Sequence, residues 1–94
     1  MRFQLRECTI EAGRLDDFLC EWRELVLPLR VSMGFSVVGP WVEREASRFV
    51  WIVGYDGDLD AANAAYYESG ERQKMRPDPA RLIAKARTAW LETA

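Results

Sequence analysis

Phe35-Ser36-Val37-Val38-Gly39-Pro40-Trp41-Val42-Glu43-Arg44 and, after Glu45-Ala46-Ser47, Arg48-Phe49-Val50-Trp51-Ile52-Val53-Gly54-Tyr55 form the stretch that decides the fold. Both runs are rich in aromatic and β-branched residues, which suit a pleated surface, and the three residues between them suit a hairpin turn. If Arg44 lies opposite Arg48, one face of the pair collects Phe35, Val37, Trp41, Phe49, Trp51, Val53 and Tyr55. The other collects Val38, Pro40, Val42, Val50 and Ile52. Slipping the register by one residue exchanges the members and leaves both faces apolar. A half-solvated antiparallel sheet should instead alternate apolar with polar residues. One face therefore awaits helices and the other a second copy of the chain, packed sheet to sheet as a closed homodimer.

Working outward, residues 2–10 alternate at Phe3 and Leu5, which reads as a strand. Beyond Gly13, residues Leu15, Phe18, Leu19, Trp22, Leu25, Val26 and Leu29 recur with helical spacing and make one apolar stripe. Asp16 and Asp17 suit its first turn, and Pro28 is expected to kink or end it. Gly34 supplies a stop. Downstream of the hairpin, Asp58 is placed to cap a helix carrying Leu59, Ala62, Asn63, Tyr66 and Tyr67 on one face, closed by Ser69-Gly70. Pro79 opens a short helix expected to run through Ala84. Residues 87–92 read either as a fourth strand holding Trp90 or as continued helix; the strand is favoured because the sheet needs a fourth member. The order is β-α-β-β-α-β: a single ferredoxin-like α+β domain over residues 1–94, with an antiparallel sheet and helices on one face.

With 94 residues there is room for one core, and 49% hydrophobic residues are too many for a disordered chain. There is no histidine, which excludes Ser–His and Cys–His dyads, histidine-ligated metal or haem, and an imidazole switch within the chain. A formal charge of −2 gives no footprint for nucleic acid or an anionic membrane. The basic groups do gather late, where Arg72, Lys74, Arg76, Arg81, Lys85 and Arg87 face only Glu71 and Asp78. Such a run could attract an anion or form a solvated face. Cys8 and Cys20 match no metal or redox spacing, and the N-terminus has no apolar leader core, so a cytoplasmic protein with reduced thiols is expected. No apolar run reaches the ~18 residues of a membrane span. Asp56-Gly57-Asp58-Leu59-Asp60 imitates the start of a calcium loop, but Ala61 replaces the turn glycine and Tyr67 the bidentate glutamate. No metal site is expected.

Gly34-Phe35-Ser36-Val37-Val38-Gly39-Pro40-Trp41, Arg48-Phe49-Val50-Trp51-Ile52 and Tyr66-Tyr67-Glu68-Ser69 resemble the NIPSNAP family, of the dimeric α+β barrel superfamily, over nearly the whole chain. The resemblance implies two ferredoxin-like subunits forming a barrel with helices outside. The superfamily includes cofactor-free antibiotic-biosynthesis monooxygenases, haem-degrading enzymes and small-molecule isomerases, and the missing histidine argues against the haem branch.

The most chemical cluster is Asn63, Tyr66 and Tyr67 on one helical face, with Arg72 just beyond and Trp41, Trp51 and Tyr55 on the strands. As a pocket, these residues would wall a flat ligand with aromatic rings and orient it with a few polar groups. Asn63, Tyr66 and Arg72 are the candidate catalytic residues. Arg72 would stabilise a substrate anion, Asn63 would hydrogen-bond an oxyanion, and a tyrosine would relay a proton. By resemblance this suits a cofactor-independent monooxygenase or isomerase; no cofactor is expected. The same aromatics could instead be core, and Arg72 could pair with Glu71. The second reading is therefore a non-catalytic homodimeric assembly module, and a cavity of a few hundred cubic ångströms would separate the two.

Overall fold

A computed structural model describes all residues, 1–94. Strand β1 (Arg2–Ile10) leads into α1 (Leu15–Glu21), a π-helical turn (Trp22–Val26) and α2 (Leu27–Ser32), which follow one another without a break. Strands β2 (Ser36–Glu43) and β3 (Arg48–Tyr55) form the hairpin; α3 (Leu59–Glu68) and α4 (Gly70–Gln73) follow. A 3-10 turn (Pro79–Leu82) then enters β4 (Ile83–Leu91). The four strands are antiparallel in the order β2-β3-β1-β4, with helices on one face, the ferredoxin-like arrangement expected.

Of the two outcomes expected at Pro28, a kink or an end, the helix does not end there. The π turn before it carries the Leu27 amide to the Trp22 carbonyl, and Pro28 falls in the first turn of α2, where an amide donor is dispensable. The extra residue also rotates the stripe, so that the buried positions run Leu15, Phe18, Trp22, Val26, Arg30. Asp58 caps α3, accepting from the Ala61 amide at 3.0 Å, and Ser69 caps α4 through the Arg72 amide. The final segment is a strand. It begins at Ile83, where helix was expected through Ala84, because the open edge of β1 pairs with it from Ile10↔Ile83 to Phe3↔Leu91. Unpaired backbone groups on β1 outweigh the helical preference of an alanine-rich run.

The hairpin register differs from the expected one. Glu43, and not Arg44, lies opposite Arg48, and the pairing shifts between Val38↔Ile52 and Trp41↔Val50. Gly39 and Pro40 supply the extra residue of this bulge. Gly39 sits at φ +104°, and a Cβ there would meet the Trp41 ring at 2.9 Å, so glycine is required on both counts. The bulge moves Trp41 to the outer face beside Val38, Val50 and Ile52, away from Trp51.

The core lies between helices and sheet. Phe49 meets Phe18 edge-on at 5.0 Å and Trp22 at 5.2 Å, and Trp22 meets Trp51 at 5.3 Å. Such pairs add about 0.5–1.5 kcal/mol each beyond area burial. Outside, Val38, Trp41 and Leu91 are exposed. On the same face Glu7 lies between Arg48 (3.3 Å) and Arg87 (3.5 Å), and Arg48 also reaches Glu43 at 2.9 Å. No helix is long and apolar enough to cross a membrane.

Candidate functional site

Between the π turn, α3 and the sheet lies a cavity of about 100 Å³, open to one side. Trp22, Val26 and Arg30 reach it from the first helix, Arg6, Cys8 and Trp51 from the sheet, and Tyr66, Tyr67 and Arg72 from α3 and α4. The π turn places Trp22 and Arg30 on the same side, where uninterrupted 3.6-residue spacing would let them drift apart.

Arg30 is the centre of this arrangement. It is 1% exposed, although a guanidinium is almost never fully buried unless paired. Its Nη1 donates to Asn63 Oδ1 at 2.6 Å and its Nη2 to the Tyr67 hydroxyl at 3.3 Å. Arg6 donates to the same hydroxyl at 2.7 Å. The Arg30 guanidinium carbon lies 3.8 Å from the Tyr66 ring centroid and 4.6 Å from that of Phe35, a favourable placing of cation over aromatic face. No carboxylate pairs with Arg30 or Arg6, whereas Arg72 meets Asp78 at 3.0 Å.

Burial lowers the Arg30 pKa to about 10, with the neighbouring Arg6 charge adding to the effect. The group remains a cation at neutral pH. Burial raises Tyr66 above its ordinary value, against the pull of Arg30, so its phenol remains protonated there. Cys8 is likewise pushed up by burial, so its thiol is not activated.

Of the residues expected to form a site, Trp51, Tyr66, Tyr67 and Arg72 line the cavity together. Asn63 stands one layer behind, holding Arg30. Tyr55 packs on Phe35 at 5.3 Å and does not line the cavity. Trp41 is excluded by the bulge, which turns it onto the opposite face of the sheet, 53% exposed.

No family model and no curated protein matches the sequence. Solved structures do. An uncharacterized NIPSNAP domain protein from Burkholderia xenovorans superposes with a TM-score of 0.87 at 18% identity, over 100% of this chain and 95% of that one. A NIPSNAP family protein from Agrobacterium tumefaciens gives 0.86 at 19% identity, over 99% and 92%. The fold is that of the NIPSNAP proteins. An antibiotic biosynthesis monooxygenase shares it more distantly, with a TM-score of 0.73 at 17% identity over 100% and 99%. At such identities the NIPSNAP likeness concerns the fold, and the chemistry has to come from this chain's own residues.

Three of those residues escaped the sequence reading. Arg30 lies four residues beyond Val26, so a cation on the apolar stripe was its signal. Trp22 was read only as part of that stripe. Arg6 alternates with Leu5 on β1 and is indistinguishable there from a solvated residue.

Proposed function

We propose that this chain is a homodimeric NIPSNAP-type protein that holds a small apolar or aromatic metabolite between its helices and sheet. The observation that carries the reading is Arg30, a buried cation without a carboxylate partner, beside a cavity walled by Trp22, Trp51 and Tyr66. Ligand pockets are lined mostly by apolar and aromatic side chains, with a few placed polar groups that orient the ligand. If the protein is an enzyme, cofactor-free oxygenation or isomerisation would suit a substrate that arrives already ionised as its enolate or phenolate, since the lining can hold that charge with a guanidinium but offers no carboxylate or imidazole to take a proton. Arg30 would stabilise that charge more directly than Arg72, which is already paired with Asp78. Tyr66 would donate a hydrogen bond, and Asn63 would position Arg30. The outer sheet face supports the dimer: Phe3, Leu5, Val38, Trp41, Val50 and Ile52 have no helix over them. The free thiols of Cys8 and Cys20 suit a reducing compartment such as the cytoplasm.

Native mass spectrometry of freshly purified protein tests both parts. A dimer retaining a small molecule is expected. A protein that is bare and also gives no chemical-shift change at the Trp22 indole with any aromatic fragment would overturn the ligand reading. The cavity is well below the ~300–1,000 Å³ of pockets for drug-sized ligands, and this favours the second reading, a non-catalytic assembly module. Under that reading Asn63→Ala and Tyr66→Phe change stability alone.

A further inference from the structure

Arg30 Nε, Trp22 Nε1 and the Tyr66 hydroxyl are buried without a hydrogen-bond partner. All three residues line the same cavity. The fourth such atom, Arg48 Nε, is on the other face of the sheet, 3.3 Å from Glu7. Each of the three can donate, and an unmade bond of this kind is costly inside a protein. The lining contains three guanidiniums, of Arg6, Arg30 and Arg72, and no carboxylate. Only Asp78, behind Arg72, offsets them. Asn63 and Tyr67 hold the Arg30 fork in place but are neutral, so they fix its orientation without balancing its charge.

Resting on the ligand reading above, we infer that the occupant is an anion: a small carboxylate with an apolar or aromatic body, seated against Arg30. A carboxylate oxygen can accept from Arg30 Nε, the donor that Asn63 and Tyr67 leave free. Inorganic phosphate could accept there too, but it has no apolar part for Trp22, Val26 and Trp51 to cover. The carboxylate supplies an acceptor that the lining lacks, and its body lies against those apolar walls.

Calorimetric titration with benzoate, its neutral analogue benzamide, and inorganic phosphate tests the inference. Benzoate is expected to bind at least about tenfold more tightly than benzamide, the scale of a desolvated charge-assisted bond. Arg30→Met should remove that advantage, bringing benzoate binding down to the level of benzamide. Arg6→Gln, at the more exposed rim, should weaken benzoate a few-fold, and it serves in place of Arg30→Met if that variant does not fold. Equal binding of benzoate and benzamide would overturn the anion and leave the pocket standing. Binding of neither probe would count against both readings. Phosphate binding as tight as benzoate would overturn the carboxylate class.

Discussion

The two faces of the sheet mirror each other in what they lack. On the helix side every large apolar residue of β3 is covered, with Phe49, Trp51 and Val53 all below 5% exposure, yet the cations Arg30 and Arg6 have no acidic partner. On the outer side the charges are matched, Glu7 and Glu43 against Arg48 and Arg87, yet Val38, Trp41 and Leu91 stand uncovered. Solvated ion pairs add little stability, about 0–1 kcal/mol each, so the outer network acts as a polar border to an apolar patch. On the proposals above, the partner that would cover the outer face is a second apolar sheet, and the one that would meet Arg30 on the inner face is a small anion. The same strand pair thus leaves apolar surface open on one side and unbalanced positive charge on the other.

The sharpest way to break this comparison is Ile52→Glu, on the outer face. Covering an Ile side chain is worth about 1.5–3 kcal/mol, and a two-fold interface loses it twice, about 3–6 kcal/mol. Light scattering should therefore show at least a hundredfold weaker dimer, with circular dichroism of the subunit unchanged. A variant that remains dimeric would remove the outer face from the interface. Phe49→Ala, on the inner face three residues earlier in the same strand, should cost about 3–5 kcal/mol in chemical unfolding of the subunit itself. If the two substitutions behaved alike, the faces would not divide the work.

Gly39→Ala asks what holds Trp41 on the outer side. An alanine at positive φ, pressed on the indole, should cost about 1–2 kcal/mol and change Trp41 fluorescence while the Trp22 and Trp51 contacts remain. The smallest effect is expected from Arg30→Met without ligand, and it should be favourable: about 1 kcal/mol of added stability, seen as a higher Tm, because an unbalanced buried charge is removed. Burial lowers the Arg30 pKa to about 10 in the fold, below that of a free guanidinium. Both states are protonated at neutral pH, so the burial cost is fully present there. As pH rises through about 10 the folded state sheds its proton first, and the wild type gains on the variant until the unfolded chain sheds its own. A marked loss of stability in Arg30→Met would make Arg30 a structural strut.

Much of the scaffold was legible from local chemistry. The change from two-residue to helical spacing at Leu15, the Asp58 cap and the doubly apolar hairpin each act within a few residues, and together they yield the strand and helix order. Trp41 was misassigned because a bulge at Gly39-Pro40 shifts every later side chain by one pleat, and alternation alone does not register the extra residue. The start of β4 was missed because Ile83–Ala86 has helical preference and becomes strand only through β1. The candidate site was half legible. Tyr66, Tyr67, Trp51 and Arg72 were named from residue type, whereas Arg30 was not named, because only its burial separates it from a cation at the edge of the helical stripe.

By itself, then, the sequence determined which elements form, that two apolar faces result, and that no histidine chemistry is available, because propensity, capping and composition are local properties. Tertiary structure alone decided which face Trp41 takes, that Pro28 is absorbed by a π turn, and that Arg30 is buried beside an aromatic cavity with no acid to meet it. Those outcomes depend on register, on packing across the core and on desolvation, which residues distant in the chain impose on one another.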